Sequence, residues 1–166
     1  PGIFSEQLYF IGTFVLLTAL IACFLYFFSV VMGRLGMDRT GRWTLGCLAV
    51  TLMIQFMPDA GEAFFWVNGG IGNTFVYSLM ALAAALMVRL AEAKGRAVGL
   101  TAALCLLMVL LGGGSYGGGL LSVCMLAVCL VWMLRVRHPR RWRFAGLAAL
   151  LLLCFAYSMS APGNAV

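Results

Sequence analysis

Charge is scarce in this sequence. Charged residues make up 10% of the 166 positions, acidic residues number 5, and histidine occurs once. Apolar and aromatic residues make up 64%, against about half in an ordinary soluble domain. A soluble domain of this length could not bury so much apolar surface, so the composition predicts a membrane protein. The net charge of +6 then requires no nucleic-acid partner, because loops beside anionic lipid headgroups are expected to be basic.

The sequence also lacks paired cysteines, histidine clusters and ionisable residues inside its apolar runs. All six cysteines lie within those runs without a C-x-x-C spacing, which predicts packing residues and not disulfides or a metal site. His138 stands among arginines and is predicted to be a solvated loop residue. The absence of Asp, Glu, Lys and Arg from the middles of the runs argues against an ion-coupled transporter. No metal site or cofactor is predicted, and the need for a divalent metal is left open.

Six apolar runs predict an all-α polytopic membrane protein with short loops, forming a single transmembrane domain over residues 1–166. The runs are Leu8–Met32, Trp43–Met57, Gly70–Val88, Ala97–Leu111, Gly119–Leu134 and Phe144–Ala161. The second, fourth and fifth runs are short for about 30 Å of hydrocarbon. Either they thin the bilayer, or arginine side chains reach the headgroups, or the outer loops dip into the membrane beside a cavity.

Lysine and arginine are confined to three loops, which alternate with polar stretches that contain none. The basic loops are Met32–Arg42, Arg89–Arg96 and Arg135–Arg143. The stretches without Lys or Arg are Pro58–Asn73, Gly112–Gly118 and Ser160–Val166. Since cytosolic loops retain Lys and Arg, we expect the basic loops in the cytosol and the N-terminus outside. The chain begins at Pro1 without an initiator Met or signal peptide and is expected to be a fragment of a longer polytopic protein.

The candidate binding residues lie in the outward stretches. Asp59 and Glu62 are three residues apart, so a helical turn would place both carboxylates on one face beside Trp66. Carboxylates accept hydrogen bonds from sugar hydroxyls, and aromatic rings stack on the C–H faces of sugars. The same composition is typical of an interfacial loop with a solvated edge, and both interpretations stay open.

The glycine-rich stretch Gly112–Gly118 contains a G-x-S-x-G pattern around Ser115, as in a nucleophile elbow. A nucleophilic serine needs a base within hydrogen-bond reach, and His138 lies in a loop on the other side of the membrane. A serine protease is therefore excluded. We expect instead a flexible turn that lets two helices or a ligand approach closely. The glycines between Asn68 and Asn73 do not match a dinucleotide-binding loop.

Three segments together resemble a known family. They are Glu62-Ala-Phe-Phe-Trp-Val-Asn-Gly continuing through Asn73-Thr-Phe-Val-Tyr77, the Gly-Gly-Ser-Tyr turn ending at Tyr116, and Ser160-Ala-Pro-Gly-Asn164. Their order resembles bacterial multi-pass membrane proteins that are similar in layout to the GT-C class of glycosyltransferases. The resemblance implies a polyprenyl-phosphate-linked sugar donor, a site on the extracytoplasmic face and location in the bacterial cytoplasmic membrane.

The predicted substrate-binding residues share a place in the outward stretches or at the helix ends beside them. They are Asp59, Glu62, Trp66, Asn68, Asn73, Tyr77, Ser115, Tyr116 and Asn164. No catalytic residue is assigned, because in the GT-C class the catalytic carboxylate usually lies in the first outer loop, after the first helix, and this chain contains no complete loop of that kind. The alternative is a non-catalytic membrane protein, either a transporter piece or an assembly subunit. Nucleic acid is not an expected partner.

Overall fold

The computed structural model describes residues 6–56 and 70–160, and within these ranges the protein is all-helical. The helices are α1 (Glu6–Arg34), α2 (Arg39–Gln55), α3 (Val76–Glu92), α4 (Val98–Gly112), α5 (Tyr116–Arg135) and α6 (Arg141–Met159). A π-helical segment, Gly70–Phe75, leads directly into α3. The predicted all-α class is confirmed for the described residues, which contain no strand.

Four of the helical segments are long and apolar enough to cross a membrane. They are Ile11–Arg34, Asn73–Glu92, Tyr116–Arg135 and Arg141–Met159, with mean hydropathies of 2.6, 1.8, 2.2 and 1.6. Helix α4 is apolar but has only 15 residues. In the first of the four spans only Leu16 and Leu20 are buried inside the protein. Long apolar helices whose apolar side chains remain exposed indicate a lipid environment and an integral membrane protein.

Helix α5 is longer than the apolar run that predicted it. It begins at Tyr116 and has 20 residues, which at 1.5 Å per residue spans about 30 Å. The predicted start at Gly119 was wrong, because the Ser115 side chain caps the helix three residues earlier by accepting a hydrogen bond from the Gly118 N–H at 3.3 Å. The fourth and fifth apolar runs are both short in the sequence. Of the two helices that contain them, only α4 is short in the structure, with 15 residues.

The chain divides into two compact units, Pro1–Ala85 and Leu86–Val166, and α3 runs through the boundary. In the first unit α1 packs against α2 and against the π-helical segment. The connection from α1 to α2 turns at Gly36, whose φ is +81°. Helix α2 approaches α1 closely at Gly46, where an added Cβ would lie 3.1 Å from Leu25 Cδ2.

In the second unit α6 packs against both α4 and α5. The core side chains of this unit are leucines, methionines and one phenylalanine: Met87, Leu90, Leu104, Leu107, Met108, Leu111, Leu126, Met133, Phe144, Leu147 and Leu151. The six cysteines of the chain are free thiols, four of them partly buried among the helices and the other two exposed. They lie within helices as the sequence predicts, and none forms a disulfide.

Candidate functional site

The structure describes part of the predicted site. Five of the predicted residues lie outside the described ranges: Asp59, Glu62, Trp66, Asn68 and Asn164. The other four, Asn73, Tyr77, Ser115 and Tyr116, lie at the N-terminal ends of helical segments. Asn73 and Tyr77 belong to the first unit, and Ser115 and Tyr116 to the second.

Asn73 and Tyr77 present polar groups to the surroundings at the entry to α3. Asn73 is exposed in the π-helical segment, and Tyr77 is exposed in the first turn of α3. The neighbouring Thr74 and Ser78 are buried, and the Ser78 hydroxyl donates to the Thr74 carbonyl at 2.7 Å. The two predicted site residues therefore lie on the exposed side of this segment. The buried Ser78 hydroxyl finds its hydrogen-bond acceptor within the segment itself.

Ser115 and Tyr116 mark the start of α5. Ser115 has an extended backbone (φ −79°, ψ 151°) and acts as the N-cap, which satisfies an N–H group that has no partner within the helix. Tyr116 follows as the first helical residue and is 47% exposed. The serine thus has a structural role that the nucleophile-elbow pattern did not reveal.

The glycines around this turn permit close helix packing. An added Cβ at Gly112 would lie 2.6 Å from Cys154 Cβ and 3.1 Å from the Leu151 carbonyl oxygen. An added Cβ at Gly119 would lie 2.6 Å from a ring carbon of Phe155. At Gly112 the backbone of α6 leaves no room for a larger residue, and at Gly119 the Phe155 ring would have to shift, so the expected close approach of two helices is confirmed here for α4 and α5 against α6.

The glycine-rich turn and the end of α6 lie at the same end of the second unit. Gly112 is level with Leu151 and Phe155, whereas α6 continues to Met159. Its last turn carries Tyr157, which is 82% exposed. Tyr116 and Tyr157 therefore both lie at this end, where amphipathic rings are expected if it meets a membrane–water interface.

The opposite end of the second unit is held together by two arginines that sequence reasoning missed. The Arg140 Nη2 donates to the Gly95 carbonyl oxygen at 2.7 Å and also to the Ala93 carbonyl. Arg143 donates to the Arg96 carbonyl and, at 3.5 Å, reaches the Thr101 hydroxyl. No local sequence signal could find these contacts, because 42 to 47 residues separate the partners.

This pair of contacts joins two of the three basic loops. The loop after α3 and the loop before α6 lie side by side in the second unit. Arg140 Nη1 is buried without a hydrogen-bond partner among the described residues. Of the two terminal nitrogens of Arg140, only Nη2 therefore takes part in the contact between the loops.

A groove of about 480 Å³ lies in the first unit along the C-terminal half of α1 and the first turns of α2. Its lining residues are mainly apolar: Thr18, Ile21, Ala22, Leu25, Tyr26, Ser29 and Trp43. None of them is a predicted site residue. The groove lies toward the turn between Arg34, which ends α1, and Arg39, which begins α2.

Acidic side chains are rare in the described part of the chain. Where side chains are described, Asp38 caps α2, and Glu92 ends α3 beside a basic loop. Within the described residues no three His, Cys, Asp or Glu side chains lie close enough to hold a metal ion.

No family model, curated relative or solved structure matches this chain. The fold defines a coarse class, an integral membrane protein of apolar helices.

Proposed function

We propose that the chain is a portion of a membrane glycosyltransferase-like protein that uses a polyprenyl-phosphate-linked sugar. The site lies at the extracytoplasmic face of a bacterial cytoplasmic membrane. Six helices span the bilayer, with the N-terminus outside and the three basic loops in the cytosol. The resemblance of the outward segments to GT-C-like membrane proteins supplies the substrate class.

The observation that carries the proposal is the direction of α3 and α5. Each helix has a predicted site residue in its first turn, Tyr77 or Tyr116, and an arginine in its last turn, Arg89 or Arg135. Because loops rich in Lys and Arg stay in the cytosol, the tyrosine-bearing ends of the same helices face outward. This is the face at which a lipid-linked sugar would be presented.

The chemistry of the exposed groups suits such a donor. The donor has an apolar tail that stays in the bilayer and a sugar that lies at the water boundary. Tyr77 and Tyr116 combine an apolar ring with a hydroxyl and fit that boundary. The Asn73 amide can both donate to and accept from sugar hydroxyls. Asp59 and Glu62 would accept hydrogen bonds from the same hydroxyls.

Photo-crosslinking tests donor binding. Full-length protein in proteoliposomes is irradiated with a polyprenyl phosphate that carries a photoreactive group. Tyr116→Ala is expected to lower the crosslinked fraction, whereas Tyr157→Ala, at the same end of the second unit but outside the predicted site, is the matched control. Equal crosslinking in both variants and the unmodified protein would remove Tyr116 from the site.

Sugar transfer tests the activity itself. Glu62→Gln and Asn164→Ala in the full-length protein are expected to lower the transfer rate or the donor affinity. An unchanged rate together with an unchanged donor affinity in both variants would remove these residues from the site.

Ser115 needs variants that separate its capping role from a role in binding. Ser115→Ala removes the cap and is expected to lower stability by about 1 kcal/mol. Ser115→Asp retains a cap oxygen but adds a negative charge that repels the donor phosphate. Normal stability with weakened donor crosslinking in the Asp variant supports placement near the phosphate. Undiminished crosslinking contradicts it.

A second candidate is a non-catalytic membrane protein, either a transporter piece or an assembly subunit. It is favoured by one observation, that the described acidic side chains, Asp38 and Glu92, both lie beside basic loops. This alternative predicts that the photoreactive polyprenyl phosphate does not crosslink specifically to the protein. It also predicts that the full-length protein transfers no sugar.

A further inference from the structure

The five arginines in and beside the loop between α5 and α6 fall into two groups. Arg140 and Arg143 are engaged by backbone carbonyls of the loop after α3. Arg135, Arg137 and Arg141 have no hydrogen bond or ion pair from their guanidinium groups among the described residues; Arg141 lies 5.8 Å from the ring centre of its neighbour Trp142. Within the described part of the chain these three cations are therefore available to a further partner.

The surroundings of these three arginines do not neutralise them. The second unit contains eight Arg and Lys residues against the single carboxylate of Glu92. The carbonyls that engage Arg140 and Arg143 are dipoles, so their contacts satisfy hydrogen bonds without cancelling charge. The available cations therefore lie in a strongly positive field that attracts an anion.

Exposed tryptophans flank the same loop. Trp132, three residues before Arg135, is 50% exposed, and Trp142, directly after Arg141, is 73% exposed. Indole rings concentrate at headgroup depth because one edge is polar and the body is apolar. The two rings therefore put this loop at a bilayer surface rather than in bulk water.

Arg137 occupies a backbone position that favours glycine. Helix α5 ends in a Schellman motif, in which the Arg137 N–H donates to the Leu134 carbonyl at 3.1 Å and the His138 N–H to the Met133 carbonyl at 2.9 Å. Arg137 has φ +51°, in the left-handed region. At the end of α1 the same motif has Gly36 in this position, with φ +81°. An arginine there costs backbone free energy, which points to a use for its side chain.

We propose that Arg135, Arg137 and Arg141 form a binding surface for the phosphate-containing headgroups of anionic phospholipids in the adjoining leaflet. Trp132 and Trp142 hold this surface at headgroup depth, and the contacts of Arg140 and Arg143 keep the loop in place. Lipid is the partner, and not nucleic acid, because the flanking rings and the exposed apolar sides of α5 and α6 bring the arginines to the bilayer. This inference does not depend on the proposed sugar-transfer function.

Lipid retention tests the surface. The full chain is reconstituted in phosphatidylcholine nanodiscs with increasing phosphatidylglycerol, and the spin-labelled phosphatidylglycerol bound to the protein is measured. The triple variant Arg135→Gln, Arg137→Gln and Arg141→Gln is expected to lose roughly a hundredfold in affinity, from about fivefold for each arginine. The matched control is Arg39→Gln, Lys94→Gln and Arg96→Gln, which removes the same charge from the other basic loops. An equal loss in the control overturns the proposal.

A single variant keeps the proposal testable if the triple variant folds poorly. Arg137→Gly suits the left-handed backbone, so it is expected to fold at least as well while binding phosphatidylglycerol roughly fivefold more weakly. Arg137→Lys should retain the binding. Unchanged lipid affinity in Arg137→Gly, or displacement of the bound lipid by a short oligonucleotide at low concentration, would overturn the assignment.

Discussion

The Nη2 of Arg140 lies 2.7 Å from the carbonyl oxygen of Gly95, although 45 residues separate them in sequence. This contact fixes the loop before α6 against the loop after α3. Arg143 repeats the arrangement one helical turn later by donating to the Arg96 carbonyl. Two of the three basic loops therefore act as one structural element at one end of the second unit.

Arg140→Lys is expected to weaken this element. An ammonium group retains the charge but does not reproduce the guanidinium geometry, so the free energy of unfolding should fall by about 1 to 2 kcal/mol. Limited trypsin digestion of the detergent-solubilised protein, followed by mass spectrometry, should show faster cleavage after Arg96. Arg141→Lys is the control, because no carbonyl engages its guanidinium. Identical cleavage rates for the two variants would contradict a holding role for Arg140.

Gly112→Ala is expected to destabilise the second unit. The added methyl would lie 2.6 Å from Cys154 Cβ and 3.1 Å from backbone atoms of α6, so α4 and α6 would have to separate, at a cost of about 1 to 3 kcal/mol. Gly146→Ala on α6 is the control, since an added Cβ meets no atom within 4 Å there. It should raise stability by about 0.5 to 1 kcal/mol. Thermal unfolding in detergent distinguishes the two, and a loss of similar size in both would refute the packing argument.

Ala97→Asn is expected to stabilise the start of α4. Ala97 has φ +45° and ψ +40° and makes no side-chain cap. Asparagine tolerates this left-handed conformation better than alanine does, so the melting temperature should rise by the equivalent of about 1 kcal/mol. Ala102→Asn, at an exposed position inside the same helix, should instead lower stability slightly. A decrease for Ala97→Asn would show that the residue does not occupy the left-handed region.

Cysteine labelling in intact cells is expected to map the orientation. In a background without the native cysteines, a membrane-impermeant thiol reagent should modify Cys introduced at Asn68 or Ser115 and spare Cys introduced at Arg137. The physical reason is that the arginine-rich loops are retained in the cytosol. All three positions should react after permeabilisation. Modification of position 137 together with protection of position 68 would invert the topology and remove the proposed sugar site.

Helix positions were largely predictable, because the apolar character of a run depends only on the residues within it. The run Leu8–Met32 lies inside α1, and Phe144–Ala161 overlaps nearly all of α6. The boundaries were less predictable where a side chain caps the backbone, as Ser115 does for α5. The π-helical segment Gly70–Phe75 was not anticipated either, because the apolar run Gly70–Val88 predicts a helix without indicating which type of helix forms.

The candidate site was predictable only as a set of residues in outward stretches. Sequence reasoning selected Tyr77 and Tyr116, and the structure finds both exposed at helix starts. It could not assign Ser115 its cap, because that role depends on the backbone angles at one residue. The binding roles of all the selected residues remain predictions for the experiments above.

The sequence by itself determined the lipid environment and the helical class of this protein. Hydropathy depends only on which residues are present, and apolar runs of this length cross a bilayer as helices. It also determined which loops are basic. Only the tertiary structure decided which arginines hold loops together and which remain available, and which glycines are required for packing. Those properties depend on contacts between residues that are distant in sequence, such as Arg140 with Gly95 and Gly112 with Cys154.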